Sequence, residues 1–261
     1  LTLFHHPSYF TMYLNFVVGL TYLNNLKPIK NFKLSTISSS IIISFLSFFI
    51  LFASSRTGWI TNILVHLFFI SYMFYDKKIS KKAIIYFLVL MIPFTTVIYT
   101  NNFIQSRFNE IITNTFQKMD QKEVRSSTSA RKKIWSSSLK LIKEKWITGY
   151  GTGLSKKVVQ EQFKKDGHDY LIRKNYNSHN QYIQVFLEQG VFGFLLLVFF
   201  TFGMLYLSLQ QYDFIYALFI VIMILNFMTE SILETQSGVI FFAFFNTIFF
   251  FQWFNKKYLA S

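Results

Sequence analysis

Long apolar runs constrain this chain more than any other feature of its sequence. Leu, Ile, Val and Phe follow one another over stretches close to the roughly 20 residues that a helix needs to cross the hydrocarbon core of a bilayer. Hydrophobic residues make up 52% of the 261 residues, a composition that excludes an ordinary soluble domain of this length. Seven runs are predicted to cross the membrane: 8–26, 34–53, 57–75, 83–100, 180–207, 213–230 and 236–254. The sequence therefore predicts an all-α fold, a polytopic membrane helical bundle.

Lysines in the short loops predict the orientation of this bundle. Basic short loops stay in the cytoplasm, and three basic groups fall at alternate ends of the spans: Lys27, Lys30 and Lys33; Lys77, Lys78, Lys81 and Lys82; and Lys256 and Lys257. The turn at Arg56, the segment 101–178 and the turn from Glu230 to Glu234 are then extracytoplasmic. We expect four transmembrane helices in 1–100, an extracytoplasmic loop in 101–178, and three helices with a cytoplasmic tail in 179–261. Because the chain opens at Leu1 almost directly in an apolar run, we expect it to lack earlier helices of a longer protein.

The loop 101–178 is strongly basic. It has more than twice as many Lys and Arg residues as Asp and Glu residues, and supplies most of the net charge of +14. This charge fits either lipid headgroups and solvent or an anionic substrate, for which arginine is the better detector. Two helical pieces are predicted, 103–124 and 129–146. In the second, Trp135, Leu139, Ile142 and Trp146 share one side, which predicts an amphipathic helix at the membrane interface.

His179 stands where this basic loop meets the fifth apolar run. Imidazole is the side chain best suited to moving protons near neutral pH. Ser178 and Gln181 fit a Ser-x-x-Gln capping box with Ser178 as N-cap, which places His179 in the first helical turn. There the helix dipole would favour the neutral, proton-accepting ring. The alternative is a polar residue at a helix end with no chemical role.

Two arginines are candidates for binding an anion. Arg131 falls on the apolar stripe of the amphipathic helix, where a charge is costly unless it is paired. Snorkelling to the interface or a salt bridge to a loop acid would also explain its position. Arg56 lies in a tight turn between two apolar runs. For Arg56 the alternative to a functional role is an interfacial anchor.

Three carboxylates need an explanation. Glu230 and Glu234 lie four residues apart around the last extracytoplasmic turn. Either this is a solvated turn, or one of the two carboxylates pairs with Arg56 or Arg131 and orients it. Glu188 falls within a predicted membrane helix, where a carboxylate requires a partner.

The sequence offers weak signals for a phosphate loop and none for a metal centre. Gly149-Tyr150-Gly151-Thr152-Gly153 could cradle a phosphate, but a structural turn after the helix is the favoured interpretation because glycine spacing alone is weak evidence. The chain has no cysteine, and its histidines lack the spacing of zinc ligands. We therefore predict no cofactor and no metal.

Four patches occur in an order that resembles the O-antigen ligase and O-antigen polymerase family of bacterial membrane glycosyltransferases. The patches are His6-Pro7-Ser8-Tyr9; Ser55-Arg56-Thr57-Gly58-Trp59; Ala130-Arg131 to Trp135 followed by Gly149-Tyr150-Gly151; and Ser178-His179-Asn180-Gln181-Tyr182 followed by Glu188-Gln189-Gly190. The resemblance covers most of the chain, from Pro7 to about Phe250. Each patch is short, and the resemblance depends on their order, spacing and predicted topology together.

The resemblance implies a metal-independent, inverting transfer of a glycan from undecaprenyl diphosphate to a sugar hydroxyl, or to lipid A-core in the ligases. Arg56 and Arg131 would bind the diphosphate, and His179 would accept the proton of the acceptor hydroxyl. Further residues are candidates for substrate binding: Asn180, Tyr182, Gly151, Glu230, Glu234 and His6. The site would face the extracytoplasmic side of the bacterial cytoplasmic membrane. The bilayer and a chain-length regulator are the other expected partners, and nucleic acid is not one.

Two other functions compete with glycan transfer. One is a non-catalytic transporter or flippase for anionic lipid-linked glycans, which would place charge along a pathway within the spans. The other is a structural or regulatory membrane protein whose basic loop docks on anionic headgroups. Within the transferases we favour a polymerase slightly over a ligase, although no single residue decides between them.

Overall fold

A computed structural model describes residues 6–26, 34–75 and 127–258 and isolated positions between 100 and 109. The chain forms two compact units, Leu1–Ile111 and Ile112–Ser261, and each is described by itself. The regular elements of the described residues are nine α-helices and one 3-10 turn. The predicted all-α class is therefore confirmed for this part of the chain.

The first unit contains three apolar helices: α1 (Pro7–Leu26), α2 (Thr36–Phe52) and α3 (Arg56–Tyr75). Pro7 opens α1, where its missing N–H would have had no helical partner. Ser35 caps α2, and its side chain accepts a hydrogen bond from the Ser38 N–H at 3.0 Å. A short turn then leads to Arg56, the first residue of α3.

Polar side chains fill much of the interior of the first unit. Asn15 donates to the Gly58 carbonyl at 3.0 Å, and Asn62 donates to the Asn15 side chain at 3.0 Å. A Cβ at Gly58 would collide with the Thr11 side chain, so α1 and α3 approach each other closely at this glycine. Small residues at such crossings are typical of helices packed in membranes.

A second buried chain of hydrogen bonds joins all three helices. The Tyr22 hydroxyl lies 2.7 Å from His66 Nδ1, and His66 Nε2 lies 3.1 Å from the Ser47 hydroxyl. Asn62 also donates to Ser47, at 3.4 Å. Both ring nitrogens of His66 therefore have a partner inside the first unit.

The second unit begins with three helices outside the long apolar runs: α4 (Ser127–Glu144), α5 (Ser155–Lys165) and α6 (Asp169–Arg173). They enclose a small hydrophobic core: Ala130, Ile134, Leu141, Val159, Phe163, Leu171 and Leu187. Leu187 belongs to the next helix, α7 (Gln181–Gln210). The start of α7 is thereby fixed to the loop helices. The chain continues with α8 (Phe214–Phe227), the 3-10 turn (Ile232–Glu234) and α9 (Gln236–Tyr258).

The buried face of α4 matches the predicted apolar stripe only in part, since Trp135 and Ile142 pack against the hydrophobic core. Its buried positions are Ser129, Ala130, Ile134, Ser137, Ser138 and Leu141, whereas Leu139 and Trp146 are 50% and 53% exposed. The reason is that two serines pack inward. Ser137 donates to the Asp166 carboxylate at 2.5 Å, a long-range bond that makes a polar residue suitable for the interior. The membrane-interface location of α4 stays a prediction.

Gly190 interrupts α7. Its φ of +65° and ψ of −160° are not helical, and a Cβ there would collide with the Ile147 carbonyl oxygen. Beyond the interruption, the Val191 N–H donates to the Trp146 carbonyl at 2.8 Å. Only glycine combines this conformation with so close an approach of two backbones.

The glycine run after α4 packs against this break. The N–H groups of Tyr150 and Gly151 donate to the Leu187 and Glu188 carbonyls at 2.7 and 2.8 Å. A Cβ at Gly149, whose φ is +66°, would lie 2.6 Å from the Glu188 carbonyl oxygen. These amides are therefore used within the protein, which supports a structural turn over a phosphate-cradling loop.

Beyond Gly190, α7 presents large apolar side chains to its surroundings, among them Phe199, which is 80% exposed. Two described helical segments, Gln181–Gln210 and Gln236–Asn255, are long and apolar enough to cross a membrane. The helices Thr36–Phe52 and Phe214–Phe227 are apolar but shorter. Phe219 of α8 packs against α9. Its ring centroid lies about 6 Å from those of several α9 phenylalanines, including Phe241 and Phe245.

Six of the seven predicted spans coincide with described helices, but seven membrane crossings are not confirmed. Buried polar residues such as Asn15 and His66 lower the hydropathy of α1 and α3, and α8 has only 14 residues. The fourth predicted span, 83–100, the lysine loops 27–33 and 76–82, and most of the predicted helix 103–124 lie outside the described residues. The predicted three-part domain division stays a prediction.

Candidate functional site

Three predicted residues of the second unit, Arg131, His179 and Glu230, lie together where α7 and α9 begin and α8 ends. Three hydrogen bonds fasten the segment before α7 to the turn after α8: Asn180 Nδ2 to the Met228 carbonyl at 3.0 Å, the Ser178 and Ser231 hydroxyls at 3.1 Å, and the Leu233 N–H to Gln181 Oε1 at 2.6 Å. Because both segments are held by side chains and backbone together, they form a defined frame for the residues between them.

Glu230 joins Arg131 and His179 in one cluster. Arg131 Nη2 lies 2.7 Å from Glu230 Oε1, and His179 Nδ1 lies 2.9 Å from Glu230 Oε2. The Glu230 side chain is only 5% exposed, whereas those of Arg131 and His179 are each 21% exposed. Of the two interpretations of the turn carboxylates, pairing with an arginine therefore holds for Glu230 and Arg131.

The contact with Glu230 indicates which ring nitrogen of His179 carries hydrogen. An ionised carboxylate can only accept hydrogen bonds, so His179 Nδ1 must be the donor. In the neutral ring, Nε2 is then the unprotonated nitrogen that can accept a proton. A carboxylate that orients an imidazole in this way is the arrangement found around many general bases.

His179 does not lie in the first turn of α7, contrary to the capping-box prediction. Asn180, with extended φ and ψ of −162° and 118°, is the N-cap, and its side chain accepts from the Ile183 N–H at 3.0 Å. Ser178 instead bonds to Gln184 Oε1 at 2.8 Å. Asparagine and serine are comparable N-caps, and tertiary hydrogen bonds to Ser178 decide between them here.

The backbone of His179 has a φ of +45°. This left-handed conformation is uncommon for a residue other than glycine, and where it persists it often accompanies function. The His179 N–H donates to Asn177 Oδ1 at 3.1 Å, which helps to hold the turn. This left-handed turn connects the segment after α6 to α7, at the position where the imidazole contacts Glu230.

Arg131 reaches the cluster from the first turns of α4. Its guanidinium has five N–H donors, and one nitrogen contacts Glu230. The contact uses Nη2, and the Arg131 side chain is still 21% exposed, so other donors of the guanidinium can reach the surface. Arg131 is therefore fixed by a carboxylate and keeps donor capacity for a further acceptor.

A cleft of about 340 Å³ opens beside His179. We call it the His179 cleft and define it by its lining residues: Lys156, Asn175, Tyr176, Asn177, His179, Gln184 and Glu234. The Tyr176 ring stands edge-on to the imidazole, with 5.0 Å between ring centroids. The lining is thus polar and aromatic, with one ammonium and one carboxylate.

Two cleft residues have shifted acidities. Burial raises the pKa of the Glu234 carboxyl, and the nearby Glu188 carboxylate adds to the rise. Burial also raises the pKa of the Tyr176 phenol, with a further contribution from its hydrogen bond to Tyr170. Both shifts favour the protonated, uncharged group.

Glu188 has polar but uncharged partners. Its Oε1 accepts from the Ser155 hydroxyl at 2.9 Å and from Gln184 Nε2 at 2.7 Å. Since Gln184 Oε1 accepts from Ser178, the buried carboxylate supports the frame of the cleft from behind. The partner that the sequence required for Glu188 comes from α5 and α7.

The other predicted substrate-binding residues of the second unit have structural contacts. Asn180 caps α7, and the Gly151 N–H is taken by the Glu188 carbonyl. Tyr182 packs edge-on against Phe227, with 6.1 Å between ring centroids. Substrate contact by these three residues stays a prediction.

Arg56 and His6 belong to the first unit. Arg56 opens α3 directly after Ser55, and His6 precedes Ser8 in α1. The Ser55 hydroxyl donates to the Ser8 hydroxyl at 3.4 Å, so the turn before Arg56 and the start of α1 lie together. A shared cavity of Arg56 with Arg131 and His179 stays a prediction.

Sequence reasoning missed several cleft residues, notably Lys156, Asn175 and Tyr176. Lys156 was one lysine among many in a basic loop, and no spacing set it apart. Asn175 and Tyr176 directly precede the histidine patch in the chain. Their closeness to His179 in sequence was the signal that could have identified them.

The amino-acid sequence of this chain matches a known protein family. The family described as O-antigen ligase matches residues 41–198, more than half of the chain. Arg56, Arg131 and His179 lie within the matched region, whereas Glu230 and Glu234 lie beyond it. The match is independent of the contacts described above.

An uncharacterized protein from Haemophilus influenzae is 27% identical over 148 residues, covering 56% of this chain and 37% of that relative. The chain thus spans less than two thirds of the relative it matches. The family resemblance is confirmed by this match, which contains three of the four sequence patches, whereas His6-Pro7-Ser8-Tyr9 lies outside the matched residues. The apolar helices agree with a membrane protein. This chain belongs to the O-antigen ligase family.

Proposed function

We propose that this protein transfers a glycan from a polyprenyl diphosphate, undecaprenyl diphosphate in bacteria, to a sugar hydroxyl. In this proposal it is a multi-pass protein of the cytoplasmic membrane with its site on the extracytoplasmic side. The observation that carries the proposal is the Arg131–Glu230–His179 cluster beside an open cleft, in a member of the O-antigen ligase family.

His179 is the proposed general base. As the acceptor hydroxyl attacks the anomeric carbon, its proton passes to His179 Nε2 while the new carbon–oxygen bond forms. The bond from the anomeric carbon to the diphosphate oxygen breaks on the opposite face, so the configuration inverts. The 2.9 Å contact between His179 Nδ1 and Glu230 supports this role, because the carboxylate stabilises the imidazolium that forms. General-base catalysis of this kind typically contributes about 10²–10⁴-fold.

The departing diphosphate is the proposed partner of Arg131. The leaving group gains negative charge, which a fixed guanidinium can stabilise without reorganising. The contact with Glu230 and the partial exposure of the Arg131 side chain support this role, because the guanidinium is oriented and still presents donors. Arg56 is proposed as a second diphosphate ligand on the basis of the family motif.

The acceptor separates two versions of this function. A polymerase would transfer to a sugar hydroxyl on a growing chain, in concert with a chain-length regulator, and a ligase would transfer to lipid A-core. Both use the same base and the same leaving group. Incubation of the protein and lipid-linked donor with each acceptor in turn distinguishes them by the product formed.

Transport without transfer is the weaker alternative. It would require charged residues along a path through the spans, and Glu188 was the candidate. Glu188 is buried and bonded to Ser155 and Gln184 beside the loop helices. These contacts support a framework role for Glu188.

The experiment that tests the proposal is an in vitro transfer assay with purified protein and lipid-linked oligosaccharide. His179→Gln should abolish measurable transfer while the protein still folds. His168→Gln is the matched control, because His168 lies in the same unit at the start of α6 and does not line the cleft. Full activity of His179→Gln would overturn the assignment of the base.

Metal independence is tested in the same assay. If guanidinium groups stabilise the leaving group, EDTA at millimolar concentration should leave the initial rate unchanged. A loss of activity that added divalent cation restores would show that a metal ion takes part in the reaction.

A further inference from the structure

The His179 cleft contains two ionisable side chains, one basic and one acidic, that do not pair with each other. Lys156 and Glu234 both line it, and neither forms an ion pair with a described residue. By contrast, Asp166 in the same unit forms an ion pair with Lys140 at 2.7 Å. An ammonium and a carboxylate that remain open to one cleft are available to a ligand.

The surroundings of the cleft favour a ligand with negative charge. Lys157 follows Lys156, and Arg173 and Lys174 directly precede Asn175; all of these side chains are exposed. A basic rim raises the local concentration of anionic ligands. Glu234 is the acid of the lining, and it opposes this field less than an unshifted carboxylate would, since partial burial and Glu188 raise the pKa of its carboxyl.

The cleft also carries groups that suit the hydroxyls of a saccharide. Asn175 offers a side-chain amide, Tyr176 an aromatic ring, and Glu234 oxygen atoms that can accept from hydroxyls. Gln184 is unavailable for this purpose, because its oxygen and nitrogen are already bonded to Ser178 and Glu188. The mixture of amide, ring and charge is typical of a site for a polar ligand with a defined orientation.

We propose that the His179 cleft is the site for an acidic acceptor saccharide, in which Lys156 pairs with a carboxylate or phosphate substituent of the acceptor. The inference rests on the proposed function in one respect, since His179 at the cleft wall must meet the acceptor hydroxyl. The acceptor then enters on the side of Lys156 and Glu234, and the diphosphate of the donor lies on the side of Arg131.

Direct binding tests this assignment without requiring turnover. The full chain in detergent micelles is titrated with a glucuronate-terminated oligosaccharide and with its carboxyl-reduced, glucose-terminated counterpart. A phosphorylated oligosaccharide and its dephosphorylated form make a second pair, which separates carboxylate from phosphate as the preferred group. We expect about tenfold tighter binding of the acidic member of at least one pair, the size expected of a hydrogen bond to a charged group.

The matched variants are Lys156→Gln and Lys157→Gln, neighbouring exposed lysines of α5 of which only Lys156 lines the cleft. Lys156→Gln should remove the preference for the acidic saccharide, and Lys157→Gln should keep it. Equal binding of acidic and neutral saccharides by the unaltered protein would overturn the inference, as would an unchanged preference in Lys156→Gln.

The transfer assay separates this inference from the proposed function. Lys156→Gln should raise the KM for an acidic acceptor and leave the KM for the lipid-linked donor unchanged. A raised donor KM with an unchanged acceptor KM would assign Lys156 to the donor and overturn the inference alone. Selective binding of the acidic saccharide without any transfer would sustain the inference and overturn the proposed function.

Discussion

The two units of this protein bury polar side chains in different ways. In the first unit, Tyr22, His66 and Ser47 bond to one another, and both nitrogens of the imidazole are occupied by uncharged partners. In the second unit, His179 bonds through one nitrogen to a carboxylate that is shared with Arg131, and its ring lines an open cleft. A hydrogen-bonded histidine is common to both regions and therefore does not by itself identify a site.

The difference lies in charge and access. The first network is closed, since its donors and acceptors satisfy each other and hold three helices together, as polar residues do between membrane helices. In the second network, hydrogen bonds and ion pairs hold charged groups in place, and the Arg131 side chain remains 21% exposed. Buried charges are retained where chemistry needs them more often than where packing does. The comparison predicts that changes in the second region lower transfer, whereas changes in the first lower stability.

Replacement of Glu230 should produce the largest effect. Glu230→Gln keeps the shape of the side chain but loses the charge that orients His179 and pairs with Arg131. We expect kcat to fall about 10²–10⁴-fold, as when the carboxylate behind a catalytic histidine is replaced by its amide. The measurement is kcat and the donor KM in the transfer assay, together with the pH dependence of kcat.

Glu161→Gln is the control for this change, because Glu161 is an exposed acid of α5 outside the cleft. A wild-type kcat and pH profile in Glu230→Gln would show that Glu230 is only a structural partner. The two regions would then be alike in kind, and the comparison would fail.

Arg131→Lys should have the next largest effect. Lysine keeps the positive charge but replaces the planar fork of donors with a single point, which binds diphosphate less well. We expect kcat/KM for the donor to fall about 10- to 100-fold, since more than one hydrogen bond to a charged group is lost. Lys132→Gln, a neighbouring exposed residue of α4, should leave kcat/KM unchanged. Equal activity of Arg131→Lys and the unaltered protein would limit Arg131 to an electrostatic role.

Gly190→Ala tests how strongly the site depends on the broken helix. The added methyl would collide with the Ile147 carbonyl, and alanine disfavours the positive φ. We expect the free energy of unfolding to fall by at least about 2 kcal/mol, the combined cost of backbone strain and displaced packing. The measurement is unfolding in detergent by denaturant or heat.

Gly203→Ala in the same helix is the control for this substitution, because nothing lies within 4 Å of an added Cβ at that position. It should be neutral or slightly stabilising, as glycine is disfavoured in helix interiors. Equal stability of the two variants would show that α7 can straighten without cost to the loop helices.

The sequence predicted the positions of the helices better than their N-caps and their buried faces. An apolar run such as 180–207 predicts a membrane helix because a backbone in lipid must satisfy its own hydrogen bonds, and α7 spans Gln181–Gln210. Ser178 and Asn180 could both cap this helix, and local sequence preference does not choose between them. Ser178 is withdrawn from capping by bonds to Gln184 and Ser231, which depend on the tertiary fold.

The candidate site was predictable to the extent that charges need partners. Arg131 on an apolar stripe required a partner, and a turn carboxylate, Glu230 or Glu234, was one candidate. Glu230 is the residue that pairs with it. The cleft itself was not predictable, since Lys156, Asn175 and Glu234 come from three separate segments. Their assembly depends on the packing of α5 against the segment before α7, and no periodic pattern in the sequence predicts that contact.

Ser47→Ala should have the smallest effect and completes the comparison. It removes the hydroxyl that bonds to His66 and Asn62 in the first unit. Side-chain hydrogen bonds between membrane helices contribute about 0.6–2 kcal/mol, so we expect a modest loss of unfolding free energy. A double-mutant cycle with His66→Gln should give a coupling energy of that order.

Ser40→Ala is the control, because the exposed Ser40 hydroxyl bonds only to the Thr36 carbonyl of its own helix. Transfer rate per folded molecule should match the unaltered protein in both serine variants. A lower rate in Ser47→Ala alone would show that the closed network of the first unit also supports the reaction.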